Sequence, residues 1–273
     1  MGYKPSPRPT FDRPTLIRAG DAVRHVWGDE ESGLVDDWIF VSSEWLHTII
    51  FGLPPGGAFR HSESFRTVFA ADELLYVLQG TLVLANPETG EVVRAETGES
   101  VFFRRDTWHH GFSYGADDLR VLEFFAPPPA TGSSGPYART RPYLQESVYA
   151  DDVQLGGLVG AAPPRTLRLL CPGDATWRLD RGMLVGLLVS TEHLTAGTLR
   201  VLPGPSSDEE SHDGDELVYA LTGRLSVTAG DVEAVLEPGD GFYVPTGVPH
   251  RYAAAGPAPA DAVFGIAPGY LPR

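Results

Sequence analysis

Three stretches of this chain recur in the same order and at nearly the same distance. VSSEWLHTIIFGLPPG from Val41 aligns without a gap with VSTEHLTAGTLRVLPG from Val189, an offset of 148 residues. DELLYVLQGTLVL from Asp72 returns as DELVYALTGRLSV from Asp215, an offset of 143, and GESVFFRRDTWH from Gly98 returns as GDGFYVPTGVPH from Gly239, an offset of 141. A period this long exceeds the roughly 20–50 residues of a stacked-repeat protein. It fits a domain duplicated within one chain, each copy large enough to bury a core of its own.

The repeated stretches are short runs of β-branched and aromatic residues. Turn clusters such as Pro54-Pro55-Gly56-Gly57 and Asn86-Pro87-Glu88-Thr89-Gly90 separate them. No long amphipathic helical pattern interrupts the series, so the expected class is all-β. Ala229-Gly230-Asp231, set between alternating residues, reads as the turn of a β-hairpin. PPPATGSSGP over residues 127–136 suits a linker or surface crossover. It divides the chain into 1–135, headed by a proline-rich arm over the first twenty residues, and 136–273. The second run of strands is expected from about Thr166 to Ile266.

Acids outnumber bases by 36 to 21, for a net charge of −15. That excludes nucleic acid and anionic membrane as natural partners, because both reward clustered cations. Cys171 is the one cysteine, so no internal disulfide forms, and it reads as a small semi-buried hydrophobe. The amino-terminal residues lack the apolar core of a secretory signal, and no run reaches membrane-spanning length, so a cytoplasmic location is expected.

Chemistry concentrates on either side of the hairpin. Glu210, His212 and Glu216 precede it and His250 follows it. Folded into one sheet system, these donors can converge. Imidazole with carboxylate suits a divalent transition metal, Fe(II), Mn(II), Ni(II), Co(II) or Zn(II), and no cysteine tilts the set towards softer ions.

These residues resemble the two signature motifs of the cupin superfamily. The first motif is Gly, five residues, His-x-His, three or four residues, Glu, six residues, Gly. Gly204, His212, Glu216 and Gly223 fit it, with Glu210 where the first His belongs. The second motif is Gly, five residues, Pro-x-Gly, two residues, His, three residues, Asn. Gly239, Pro245, Gly247 and His250 fit it, with Ala254 in place of Asn. Gly223, Gly239 and Gly247 read as turn positions with positive φ. In the earlier copy Glu73 and Gly80 keep the Glu-to-Gly spacing, and His109 falls on the second-motif His. Arg104 and Asp106 replace its Pro and Gly, and Thr67 and Phe69 stand where His-x-His is expected.

The resemblance implies two tandem cupin double-sheet jelly-roll barrels, a bicupin, with sites inside the barrel mouths. It implies His212, Glu216 and His250 as metal ligands in the later copy. Glu210 has three readings: a fourth ligand, a general base beside substrate, or a solvated surface acid. In the earlier copy a second metal site of His61, Glu73 and His109 is open, as is a metal-poor cavity. Five extra residues between the matched blocks (148 minus 143) can bring His61 in, where it can also move protons. His109 and His110 point to opposite faces of an extended segment, and motif position selects His109 as the inward one. Of Arg104 and Arg105, one can face a substrate carboxylate or phenolate, or both can form outward ion pairs. His47 reads as a packed core histidine. The aromatics Phe102, Phe103, Phe124, Phe125, Trp108 and Trp177 read as core, although a barrel interior rich in aromatics would suit a flat or apolar substrate.

The function this implies is a metal-dependent enzyme acting on a small organic substrate, with dioxygenase chemistry on a phenolic or enolic molecule first. The alternatives are a non-redox isomerase, decarboxylase or cyclase, in which Glu210 or His61 moves protons, and a small-molecule-binding bicupin without turnover. A homodimer is the expected assembly.

Overall fold

A computed structural model describes residues 6–129, 141–146 and 165–270. The expected boundary at 135/136 lies outside the described residues. Two β-barrels of matching topology follow one another along the chain. Ahead of them runs β1 (Thr15–Ile17). The first barrel holds β2 (Val23–Asp29), β3 (Gly33–Ser42), β4 (His47–Leu53), β5 (Ala58–Phe59), β6 (Asp72–Gln79), β7 (Thr81–Ala85), β8 (Val92–Glu96), β9 (Ser100–Phe103), β10 (His110–Ser113) and β11 (Leu119–Ala126). After β12 (Arg168–Leu170), the second holds β13 (Thr176–Asp180), β14 (Met183–Ser190), β15 (Thr195–Val201), β16 (Asp215–Thr222), β17 (Leu225–Ala229), β18 (Val232–Leu236), β19 (Gly241–Val244), β20 (His250–Ala254) and β21 (Ala260–Ala267).

Each barrel pairs a large sheet with a small one. The large sheets run β12-β9-β6-β11-β4-β3-β2 and β1-β19-β16-β21-β15-β14-β13. The small ones run β5-β10-β7-β8 and β18-β17-β20. The pairings are antiparallel, which places this chain among all-β double-sheet jelly rolls. The hairpin at Gly230 joins β17 to β18 as its turn residues require. The outermost strands are exchanged. β1, which precedes the first barrel, pairs with β19 of the second, while β12 reaches back to β9 of the first. No helix among the described residues is long and apolar enough to cross a membrane.

Burial along the strands follows from what each face meets. In β8, Val93 and Ala95 are buried while Val92, Arg94 and Glu96 are exposed, the alternation of a sheet with one wet face. All seven residues of β4 are buried. Ile49 and Phe51 fill the first barrel, and Ile50 joins an apolar cluster between the barrels that includes Phe40, Phe124, Leu217 and Val263. The contact is close enough to demand glycine: a Cβ on Gly265 would fall 2.4 Å from Phe124. Arg104 pairs outwards with Asp72 at 3.1 Å and with Glu192 of the second barrel, and Arg105 pairs with Asp106 at 3.4 Å. Both arginines thus take the ion-pairing fate.

Candidate functional site

In the second barrel, Glu216 is the second residue of β16 and faces Val244 and Ile266 across the sheet. His250 opens β20 on the smaller sheet, and His212 lies on the loop entering β16. A two-residue bridge fixes this loop: Glu210 N–H donates to the His250 carbonyl at 3.0 Å and His250 N–H donates to that of Glu210 at 2.9 Å. Gly247 N–H donates to the His212 carbonyl at 2.8 Å, tying the two motifs together. The three expected turn glycines all have positive φ, 67° at Gly223, 97° at Gly239 and 74° at Gly247.

His212 Nδ1 lies 2.8 Å from the Gly214 carbonyl and His250 Nδ1 lies 2.9 Å from that of Val248. A carbonyl only accepts, so both Nδ1 atoms carry protons and both Nε2 atoms face inwards. They lie 3.3 Å and 3.0 Å from Glu216 Oε2. His250 Nε2, although this close, has no properly angled hydrogen bond, so the approach is one of converging donor atoms. All three side chains are buried, with ligand atoms within 4.8 Å of one another. Burial by itself penalises the Glu216 carboxylate, but the two imidazoles outweigh it and hold the group well below the usual carboxylate range. Burial likewise works against protonated His250, yet Glu216 pushes it up to about 9. The set invites a positive charge, and its backbone-anchored histidines suit a metal cation.

Glu210 stands outside this trio. Its Oε2 is 3.4 Å from Arg178 Nη2 and its side chain is 28% exposed. Arg178, Thr195, Glu210, Glu216, Tyr252 and Tyr270 line a cavity of about 20 Å³ whose other walls are apolar. Arg178 Nε is buried without a hydrogen-bond partner among the described residues. The sequence reading missed Arg178. It sits in β13, outside both motifs, with Asp174, Asp180 and Arg181 as charged neighbours in sequence.

The first barrel assembles a different cluster. Glu73 and His109 do come together, with His109 Nε2 3.8 Å from Glu73 Oε2, and the third member is Glu123 of β11. His61 is not part of it. Its ring packs on Trp108 and His110 at 4.6 Å from each, its Nδ1 lies 2.6 Å from His110 Nε2, and its Nε2 meets the Leu144 carbonyl. The extra residues thus carry His61 to the opposite face of the His109-His110 segment, where those contacts hold it. Glu123 carried one signal, as the lone acid in the apolar run VLEFFA.

Electrostatics here are inverted. Burial, then mutual repulsion, raises Glu73 well above the usual range, and burial raises Glu123 to about 8 despite a hydrogen bond with Glu73. Burial lowers His109 to about 4. His47 is buried against Phe125 and is lowered to about 3 by burial and by Arg8. His47, His109 and Glu123 line a cavity of about 80 Å³ together with Trp27, Phe51, Phe59, Phe69 and Phe125.

A family model described as Cupin domain matches residues 50–125 and again 197–265. No curated protein matches. Among solved structures, a putative glyoxylate-induced protein from Pseudomonas aeruginosa is 13% identical and aligns over 100% of this chain and 96% of its own, with a TM-score of 0.67. A Bacillus subtilis oxalate decarboxylase, described through its Mn(II) centres, is 14% identical over 97% of this chain and 80% of its own, with a TM-score of 0.66. The oxalate decarboxylase of Lactobacillus farciminis, in complex with formate, is 12% identical over 94% and 86%, with a TM-score of 0.64. At these identities the likeness is one of fold.

Proposed function

This chain belongs to the cupin family, with one copy of the domain in each barrel, and we propose that it is a divalent-metal-dependent enzyme that cleaves a small carboxylate in the second barrel. The observation that carries this reading is Arg178, a guanidinium with a buried, unpartnered Nε–H, beside the convergent donors of His212, Glu216 and His250. A buried donor left unsatisfied is costly, and an anionic substrate would satisfy it. Held by those three residues, a divalent cation such as Mn(II) would supply Lewis-acid polarisation of a bound oxygen.

The remaining work falls to side chains at the rim. Arg178 would fix the substrate carboxylate, and the apolar walls of Val185, Leu187 and Ile266 would exclude water. Loss of carbon dioxide breaks a carbon–carbon bond and leaves its electron pair on the remaining carbon. Glu210, 3.4 Å from Arg178 and outside the ligand trio, would take a proton from solvent and pass it to that carbon. The cavity of about 20 Å³ favours a substrate of few atoms. The oxalate decarboxylases of the same fold act on such a molecule.

The second reading is oxygenase chemistry on a phenolic or enolic substrate, favoured by a two-histidine-one-carboxylate set with open positions. One experiment separates the two: Mn(II)- or Fe(II)-loaded protein assayed with oxalate, related small carboxylates and a phenol panel, following carbon dioxide release and oxygen uptake together. The lyase reading expects carbon dioxide release, lost by at least 100-fold in Glu210→Gln and weakened through KM in Arg178→Ala. Oxygen consumption with a phenol, and inert carboxylates, would replace it with the oxygenase. A metal-loaded protein that turns over nothing would leave a binding bicupin.

A further inference from the structure

The cavity of the first barrel has a guanidinium at one end and carboxyl groups at the other, with a further acid in its lining, Asp37, held 3.2 Å from His25 Nδ1. One rung of the large sheet crosses it, since Ser42 pairs with His47, His47 with Phe125, and Phe125 with Glu73. Residues paired across antiparallel strands point to the same face. With neighbouring strands about 4.8 Å apart, the rung spans roughly 14 Å from Ser42 to Glu73. Arg8 occupies the Ser42 end. It donates to Ser42 Oγ at 3.1 Å and to the Pro129 carbonyl, and it lines the cavity. At the far end, Glu123 and His109 line the same cavity and Glu73 lies against both. Between the ends, Phe51, Phe59, Phe69 and Phe125 form an apolar wall.

Polar atoms in this wall, and in Glu73 behind Glu123 and His109, wait for a partner. His47 Nδ1, Thr67 Oγ1 and Glu73 Oε2 are buried, in side chains more than nine-tenths buried, and have no hydrogen-bond partner among the described residues. Native interiors rarely leave such groups unsatisfied. A primary ammonium presents three N–H donors, and its positive charge would favour the ionised form of the buried carboxyl groups and suits the aromatic faces around them. A carboxylate at the other end of the same molecule would meet the Arg8 guanidinium.

We propose that the first barrel binds a small amino acid as its zwitterion, with the carboxylate towards Arg8, the ammonium between Glu73 and Glu123, and the carbon chain along Phe125. The cavity of about 80 Å³ limits the occupant to a short chain. Nothing in this depends on the metal or the reaction of the second barrel.

The test is isothermal titration of the full chain, without added metal, with glycine, β-alanine and 4-aminobutanoate, set against butylamine and butyrate. One of the amino acids is expected to bind at least ten-fold more tightly than either single-headed analogue. Glu123→Gln and Arg8→Ala should each weaken it at least ten-fold, and His250→Ala should leave it unchanged. Should Glu123→Gln fail to fold, as judged by circular dichroism, Arg8→Ala on the arm decides alone. No heat with any of the three amino acids, equal affinity for a single-headed analogue, or full affinity in Arg8→Ala would overturn the proposal.

Discussion

At the scale of single residues, the two barrels differ by a reciprocal exchange inside one scaffold. His212 of the second barrel corresponds to Phe69 in the first, and Phe264 of the second corresponds to Glu123. The backbone scarcely registers the change. Asp106 keeps φ at 70° where its counterpart Gly247 has 74°, and aspartate is among the few residues that tolerate that region. The electrostatic outcome is nevertheless opposite, a carboxylate held charged by imidazoles in one barrel and acids held neutral by burial in the other. His47 lets this be measured away from any candidate ligand. The unfolded side chain takes up a proton near pH 6.5, whereas the folded one resists until about 3, so acid favours unfolding across that interval. Stability should fall as pH drops from about 6.5, by at most ~1.4 kcal/mol per pH unit from this one group. In His47→Gln the decline between pH 7 and 5 should be shallower, as read by urea denaturation. An identical decline in both proteins would show that His47 is not the responsible group.

At the scale of strands, the barrels are held by exchanged edges and a tight crossing. Covering an edge strand satisfies its open hydrogen bonds, so β1 protects β19. Deleting residues 1–18 should raise hydrogen exchange at Gly241–Val244 while leaving the β4–β11 ladder protected; unchanged exchange in β19 would deny β1 that role. Where β21 passes β11, Gly265→Ala would set a methyl 2.4 Å from Phe124. Overpacking of this kind costs about 1–3 kcal/mol, measurable as a lowered urea midpoint. A midpoint within error of the parent would mean that Phe124 moves aside freely. Neither device was legible in the sequence. Repeat offsets and alternation revealed the strands of each copy, because those signals are local. The exchange of β1 and β12 depends on pairing between residues more than sixty positions apart, which no local pattern encodes. The same limit hid Glu123, which is brought to Glu73 only by the pairing of β11 with β6. His61 was left open for the converse reason. Loop length bounds reach but not direction, and contacts with Trp108, His110 and Leu144 decided the direction.

At the scale of the whole molecule, duplication supplied two barrels and divergence gave them different interiors. The motif-bearing copy gathers two imidazoles and a carboxylate with tautomers fixed by backbone carbonyls, a set the resemblance to the cupin motifs had pointed to. The other copy keeps Glu73 and His109 from that pattern and adds a second buried acid. Removing one of three ligands should abolish retention of a cation in the second barrel. The measurement that bears on this most directly is the manganese content of the full chain and of His250→Ala after loading with Mn(II) and desalting. The parent protein should retain about one ion per chain and the variant almost none. Equal manganese in the two proteins, or none in either, would contradict a metal centre built on His212, Glu216 and His250.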